Sequence, residues 1–300
     1  MHDNKTVPTP VMQIRLSDFS QLTKFRLSIS VVISSIAGYF LAIDNPDFIT
    51  LLLLIFGGYA TVGASNAFNQ VIEKEEDTKM ERTQNRPLPA ERMHSTTGLF
   101  IGVILTLVGI SALYFINLKT AFFASVSIFL YTCLYTPLKK KTPLSVFVGA
   151  FPGAIPFMLG WVAATNEFGI EPGVLFMIQF FWQFPHFWAI GWLMNDQYQK
   201  AGFKMLPSGA TDQSTAFQIV FYTLWTLVIS LVPVFYETGS LVLSYYAALG
   251  VGLLGLIFLF FSLRLMYYKS QTAAKQLLRI SILYITGIQM IYVIDKMVMV

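Results

Sequence analysis

Runs of about 20 apolar residues, each long enough to cross a bilayer as a helix, recur from one end of this chain to the other. A bilayer core offers no water to unpaired N–H and C=O groups, so each run must satisfy its backbone within itself, as a helix does. Nine spans are predicted, at 27–43, 50–70, 97–117, 120–137, 144–164, 172–194, 216–236, 240–263 and 277–294. The third and fourth are parted only by residues 117–120. A mean hydropathy of +0.61 and a charged fraction of only 12% exclude a soluble domain. The predicted fold is an all-α integral membrane protein, a bundle of nine transmembrane helices over residues 27–300 behind a cytoplasmic segment, 1–26. Residues 1–20 are polar and carry no cleavable signal pattern.

Charge sets the expected orientation. The N-terminus and the loops after the second, fourth, sixth and eighth spans hold 18 of the 20 Lys and Arg residues, leaving only Lys119 and Lys296 on the other side. By the positive-inside rule the N-terminus is cytoplasmic and the C-terminus external, as an odd span count requires. The net charge of +4 then reflects topology and implies no nucleic-acid partner. The external loops are short and mildly acidic, with Asp44, Asp47, Glu167, Glu171 and Glu237. Cys133, the single cysteine, lies inside a span, is expected to be a small buried apolar residue, and can form no internal disulfide.

The most informative polar stretch is NQVIEKEEDTKMERTQNRPLP, residues 69–89, where the second span ends. Asn69, Glu73 and Asp77 are four apart and share one helix face. Mg2+ takes such oxygen ligands one or two at a time, with substrate phosphates completing its shell. Lys79, Arg82, Asn85 and Arg86 follow directly and suit a diphosphate. Polar residues begin inside the second span, at Asn66, Asn69 and Gln70, and Asn66 and Asn69 lie too deep for solvated helix-end residues, so a bundle-facing role is expected. Lys74, Glu75 and Glu91 read as solvated.

A second rich loop, PHFWAIGWLMNDQYQKAGFKMLP (185–207), places Asp196 at a helix end, with Tyr198, Lys200 and Lys204 close behind. A third carries Lys139, Lys140 and Lys141 between Pro137 and Pro143. All three loops fall on the cytoplasmic side, so a cytoplasm-facing active-site cavity is expected. Two acidic loops on one face suit two divalent ions neutralising one leaving group. His186 sits in an aromatic segment within the membrane, where it can ligate iron, bond a carboxylate, act as a base, or simply satisfy a carbonyl. His2 and His94 read as surface residues. Of the many aromatic side chains, some lining a cavity could shield an allylic cation.

These residues resemble the UbiA superfamily of intramembrane prenyltransferases, and within it the protohaem IX farnesyltransferase (haem O synthase) branch. The superfamily's Asn-x-x-x-Asp-x-x-x-Asp motif is met by Asn69, Glu73 and Asp77. The branch is carried by MERTQNRPLP (80–89), YTPLKKKTPLS (135–145), GAFPGAIPFMLGW (149–161), PHFWAI (185–190) and KAGFKMLP (200–207). Two positions depart from the pattern: Glu73 stands for the commoner Asp, and Asp196 is followed four residues on by Lys200 rather than by a second acid.

The resemblance implies transfer of a farnesyl group from farnesyl diphosphate to a vinyl group of haem B, with water addition, giving haem O. It implies Mg2+ held by Asn69, Glu73, Asp77 and Asp196, and a diphosphate neutralised by Lys79, Arg82, Arg86, Lys139, Lys140 and Lys200. It makes His186 and Tyr198 candidates for haem contact. It further implies a multi-pass protein of a bacterial inner membrane, surrounded by lipid, with haem A synthase or a terminal oxidase as an assembly partner. An alternative is a UbiA-type prenyltransferase acting on an aromatic quinone precursor, against which the MERTQNRPLP and PHFWAI blocks speak. A transporter should hold its charged groups near the bilayer midplane, whereas here they cluster at one edge. A purely structural scaffold has no use for that cluster.

Overall fold

The computed structural model describes residues 15–235 and 238–299. His2 and Glu237 lie outside the described residues, as does most of segment 1–26. The chain is helical throughout. It opens with α1 (Leu16–Leu22), α2 (Phe25–Ala42), α3 (Phe48–Ile72), the one-turn α4 (Lys74–Asp77) and α5 (Ser95–Ile116). Helix α6 (Leu118–Phe129) runs through a π-helical stretch, Leu130–Tyr135, into α7 (Thr136–Leu138). Then come α8 (Ser145–Thr165), α9 (Ile170–Leu193), α10 (Asn195–Lys200), α11 (Gln213–Ser230), α12 (Val232–Phe235), α13 (Tyr245–Tyr268) and α14 (Gln271–Met299).

Eight stretches are long and apolar enough to cross a membrane: α2, α3, α5, the α6–α7 run Leu118–Leu138, α8, Gln213–Phe235, α13 and α14. The ninth expected span, 172–194, is also a helix, the 24-residue α9, but Gln179, Gln183, Pro185 and His186 dilute its hydropathy. Helix starts follow local chemistry. Asp47 accepts the Thr50 N–H at 2.7 Å and Asp212 accepts the Thr215 N–H at 2.9 Å, each as an N-cap. Those hydrogen bonds hold both carboxyls below the usual aspartate range.

Helix α8 is the most enclosed crossing helix, packed on α2, α6 and α9. Its contact with α2 is close because both helices offer glycine there. A Cβ on Gly160 would lie 1.8 Å from the Ser35 carbonyl oxygen, and one on Gly38 would lie 2.0 Å from the Phe157 carbonyl oxygen. Small residues let crossing helices approach where apolar lipid gives no hydrophobic drive to association. Because the opposing atoms are backbone, Gly160→Val must force the helices apart. Overpacking of this kind destabilises by about 1–3 kcal/mol or more, and a lowered thermal midpoint in detergent checks it.

Proline shapes the helices near the site. Pro156 cannot donate to the Pro152 carbonyl, and Ser127 Oγ of α6 donates to it instead at 3.3 Å. Pro137 likewise leaves Cys133 without its usual donor, and the π turn precedes it; Thr136 Oγ1 donates back five residues to the Tyr131 carbonyl at 2.8 Å. Such π turns concentrate at functional sites. Cys133 itself is exposed, which corrects its expected burial: the hydropathy of a span does not say which face looks outward.

Contacts between loops sort them into two ends. At one end Lys296 meets Asp44 at 3.0 Å, Lys119 Nζ donates to the Asn166 carbonyl, and the Ser240 N–H donates to Glu171. At the other, Lys139 pairs with Glu73, and the Lys204 N–H donates to the Lys139 carbonyl at 2.7 Å. The three loops rich in charged residues therefore share one end of the bundle.

Candidate active site

Asn69, Glu73 and Asp77 are brought to one place, though not by one uninterrupted helix. Helix α3 ends at Ile72, Glu73 turns out of helical geometry at φ −98° and ψ 17°, and α4 resumes at Lys74. The i to i−4 bonds persist across the break, Glu73 N–H to the Asn69 carbonyl at 2.9 Å and Asp77 N–H to the Glu73 carbonyl at 2.8 Å. Register therefore survives, and the three side chains are all buried, Asp77 at 1% exposure and Glu73 at 4%. The segment after them is pinned in turn. Thr83 Oγ1 donates to the Asp77 carbonyl, and Arg92 reaches Asp18 at 2.9 Å and the Asn85 carbonyl at 3.1 Å.

Each buried acid has its own cation. Arg86 Nη1 lies 2.7 Å from Asp77 Oδ2, Lys139 pairs with Glu73, and Lys140 pairs with Glu76. Lys139 is itself buried, with Nζ 4.9 Å from the Tyr135 ring centroid and 5.2 Å from that of Phe203. Burying charges is unfavourable unless they are paired. Among the described residues the pairing leaves Asp77 Oδ1 and Glu76 Oε2 buried without a hydrogen-bond partner. Among the described residues no three His, Cys, Asp or Glu side chains form a metal-binding group by themselves. An oxygen-only set with orphaned carboxylate oxygens suits a hard cation such as Mg2+, which draws its remaining ligands from water and phosphate.

Three groups at this site escape a reading of the sequence. Lys24 Nζ donates to Asn69 Oδ1 at 3.3 Å from a position between α1 and α2. Its backbone is left-handed, φ 48° and ψ 57°, a conformation that disfavours residues with a Cβ by roughly 1–2 kcal/mol. Burial, and then the charges of Arg86 and Lys139, push the Lys24 ammonium down to about 7. Thr136, just past the π turn, accepts from Asn69 Nδ2 at 3.2 Å. Glu76, three residues after Glu73, is buried at 4% and could have been found from its i+3 spacing. Lys24 gives no such signal.

The deep polar residues of α3 explain how Lys24 arrives there. Gln70 Nε2 donates to the Gln21 and Leu22 carbonyls at 2.9 and 2.8 Å, and Asn66 Nδ2 to the Thr23 carbonyl at 3.3 Å. They satisfy the end of α1 and so hold the turn that carries Lys24.

The remaining predicted residues are more dispersed. Lys79, Arg82 and Lys200 are exposed and form no ion pair among the described residues, and Asp196 is exposed on α10, likewise unpaired. Tyr198 lines a cleft of about 240 Å3 with Asn195, Phe203 and Lys204. That cleft abuts the charged centre through the Lys204–Lys139 backbone bond. His186 is half-buried on α9, its Nδ1 2.8 Å from Ser281 Oγ of α14. Its partner is a hydroxyl, not a carbonyl or a carboxylate.

The chain is also similar to known proteins in sequence and in fold. The UbiA prenyltransferase family pattern matches residues 31–283. The chain is 58% identical to a protoheme IX farnesyltransferase of Christiangramia forsetii, over 98% of each chain, and 56% identical to one of Flavobacterium psychrophilum, over 97% of each. Its fold is similar to that of a digeranylgeranylglyceryl phosphate synthase, with TM-score 0.78, 16% identity and coverage of 93% and 98%. It is also similar to an Archaeoglobus fulgidus UbiA homologue solved with GPP and Mg2+, with TM-score 0.65, 11% identity and coverage of 92% and 99%. This chain belongs to the UbiA prenyltransferase family.

Proposed function

We propose that this chain is a protohaem IX farnesyltransferase, which joins the farnesyl group of farnesyl diphosphate to a vinyl group of haem B and yields haem O. The observation that carries the site assignment is the buried cluster of Glu73, Glu76 and Asp77, each matched by its own cation. High identity to enzymes of that name over nearly the whole chain supports the choice of acceptor.

Asn69, Glu73 and Asp77 would hold Mg2+, with Asp196 offering a further carboxylate to the metal from the second loop. When bound, the metal supplies charge neutralisation to a phosphate leaving group. Lys24, Arg86, Lys139 and Lys140 bind the diphosphate oxygens, the last three exchanging carboxylate partners for phosphate and Lys24 leaving the Asn69 amide oxygen. Lys79, Arg82 and Lys200, at the exposed rim, attract it on approach. As the allylic C–O bond breaks, its electron pair leaves with the diphosphate, and these preplaced cations stabilise the charge as it develops. The vinyl carbon then bonds to farnesyl C1, water adds at the neighbouring carbon, and one proton is released. Tyr131 and Tyr135, with ring centroids 5.2 Å apart beside Lys139, offer π faces to the allylic cation. His186 and Tyr198 contact the haem.

In this account α9 is a ninth crossing helix, the charged end faces the cytoplasm by the positive-inside rule, and the membrane is a bacterial inner membrane. Purified protein given farnesyl diphosphate, with haem B and an aromatic acid as competing acceptors, tests the assignment. Farnesylated haem that vanishes with a chelator and returns with Mg2+ is expected; farnesylation of the aromatic acid alone refutes it. Because Asp196 stands apart from the buried acids, Asp196→Asn should raise the Mg2+ concentration needed for half-maximal rate rather than abolish turnover. A magnesium titration of the variant against the parent checks this.

A further inference from the structure

Helix α9 has three neighbours, and its side chains show where each lies. Gln183 Nε2 donates to the Ala150 carbonyl of α8 at 2.9 Å. Phe184 lies 4.3 Å, centroid to centroid, from Tyr222 of α11. Trp182 Nε1 donates to the Ser281 carbonyl of α14 at 2.6 Å. At 3.6 residues per turn, His186 and Gln179 fall between the α14-facing and α8-facing directions. That sector is not open to lipid, because α2 packs on both α8 and α14 and is tied to α14 by Gln289 Nε2 donating to Ser34 Oγ at 3.0 Å. His186 therefore points into the bundle. Gln179, two turns away on the same face, is 6% exposed and its Oε1 has no hydrogen-bond partner among the described residues. An orphaned acceptor this deep in a membrane protein marks an interior that takes a polar ligand or water.

The hydrogen bonds around His186 fix which ring nitrogen is free. A serine hydroxyl has one proton. Ser281 Oγ gives it to the Leu278 carbonyl, 2.8 Å away, as a helical serine bonding back along its own helix. With its proton so placed, Ser281 Oγ accepts from His186, 2.8 Å away, which assigns the ring proton to Nδ1. Nε2 is left with its lone pair and, among the described residues, no hydrogen-bond partner. The indole of Trp182 holds the ring from the side, with centroids 4.6 Å apart and planes 23° from parallel, while its N–H anchors Ser281.

A neutral imidazole donating Nδ1–H to the protein and offering Nε2 is the arrangement that metal-ligating histidines use, since the second-shell acceptor sets the tautomer and raises ligand basicity. We propose that His186 Nε2 is an axial ligand to the iron of the porphyrin acceptor, and that Ser281 and Trp182 are the positioning residues that set its tautomer and orientation. This rests on haem being the acceptor. The ligand would hold the macrocycle by its centre, leaving a vinyl edge free to approach the charged end of the bundle.

The test is resonance Raman spectroscopy of ferrous haem B bound to the full chain in lipid nanodiscs, together with haem titration. The parent should show an iron–histidine stretch that is lost in His186→Ala. Ser281→Ala should lower the frequency of that stretch and weaken haem binding by about 10- to 100-fold, the usual effect of losing a second-shell partner. Ser281→Thr, which keeps the hydroxyl, should restore both. An unshifted stretch and unchanged affinity in Ser281→Ala, with the band still lost in His186→Ala, would overturn the positioning role. A band that survives in His186→Ala would overturn the ligand assignment while haem binding itself stands. Failure of the parent to bind haem would remove the acceptor assignment and this proposal with it.

Discussion

Asp77→Ala abolishes turnover while the protein still inserts and folds. Asp77 combines the deepest carboxylate of the site, at 1% exposure, with an Oδ1 that has no partner and an Oδ2 held 2.7 Å from Arg86. Removing it takes away a metal ligand and releases the guanidinium that should meet the diphosphate. Loss of one preorganised electrostatic group typically lowers kcat by about 10²–10³, and loss of the metal adds to that. Folding should survive because Arg86 is partly exposed and can be solvated when unpaired. Asp77→Asn refines the test. It can still accept from Arg86, so the loop stays ordered, yet it lacks the charge that holds Mg2+. Product formation should fail in both variants while their thermal midpoints stay near that of the parent. Full activity in Asp77→Asn would mean that the carboxylate serves only to place Arg86.

Lys139→Met is expected to damage both stability and rate, and the two effects can be separated. Lys139 is buried against Tyr135 and Phe203 and is the only ion-pair partner of Glu73 among the described residues. Taking one member from a buried pair leaves an uncompensated charge and destabilises by about 3–5 kcal/mol. The double variant Lys139→Met, Glu73→Gln removes that penalty, because no buried charge is left alone. It should recover most of the thermal midpoint and none of the turnover, since both a diphosphate cation and a metal ligand are gone. Unfolding in detergent and a single-turnover assay on the single and double variants give the two readings. Recovery of turnover in the double variant would show the pair to be structural only.

Much of the helical frame was legible, because apolar runs mark where a chain must be buried in lipid. Expected spans 50–70, 97–117 and 144–164 became Phe48–Ile72, Ser95–Ile116 and Ser145–Thr165. Where hydropathy and helix capping disagree, the ends moved. The span placed at 240–263 starts instead at Tyr245, because the apolar Leu241 and Leu243 precede Ser244, whose side chain caps the helix at the Ala247 N–H. Helix α14 extends beyond 277–294 to Gln271–Met299, since its polar ends carry no hydropathy signal. The short α1 and α10 lie among polar residues and were invisible for the same reason.

Within the site, local spacing announced Asn69, Glu73 and Asp77, and the charge run after them announced Arg86. Lys24 could not be read, since its contact with Asn69 spans 45 residues and depends on Asn66 and Gln70 holding the intervening turn. Asn66 was singled out as too deep to be solvated, yet it and Gln70 bond the carbonyls at the end of α1. Intramembrane polarity marks a constrained place, and only the fold separates a ligand from a brace.

The central claim is that this chain farnesylates haem at the Asp77 cluster. Haems extracted from membranes of a bacterial host that lacks its own haem O synthase, and that expresses this chain or its Asp77→Ala variant, test it most directly by chromatography and mass analysis. The account predicts a new haem heavier than haem B by one farnesyl group and one water, present with the parent chain and absent with the variant. A properly inserted parent chain that leaves haem B unmodified, or equal product from the Asp77→Ala variant, would contradict it.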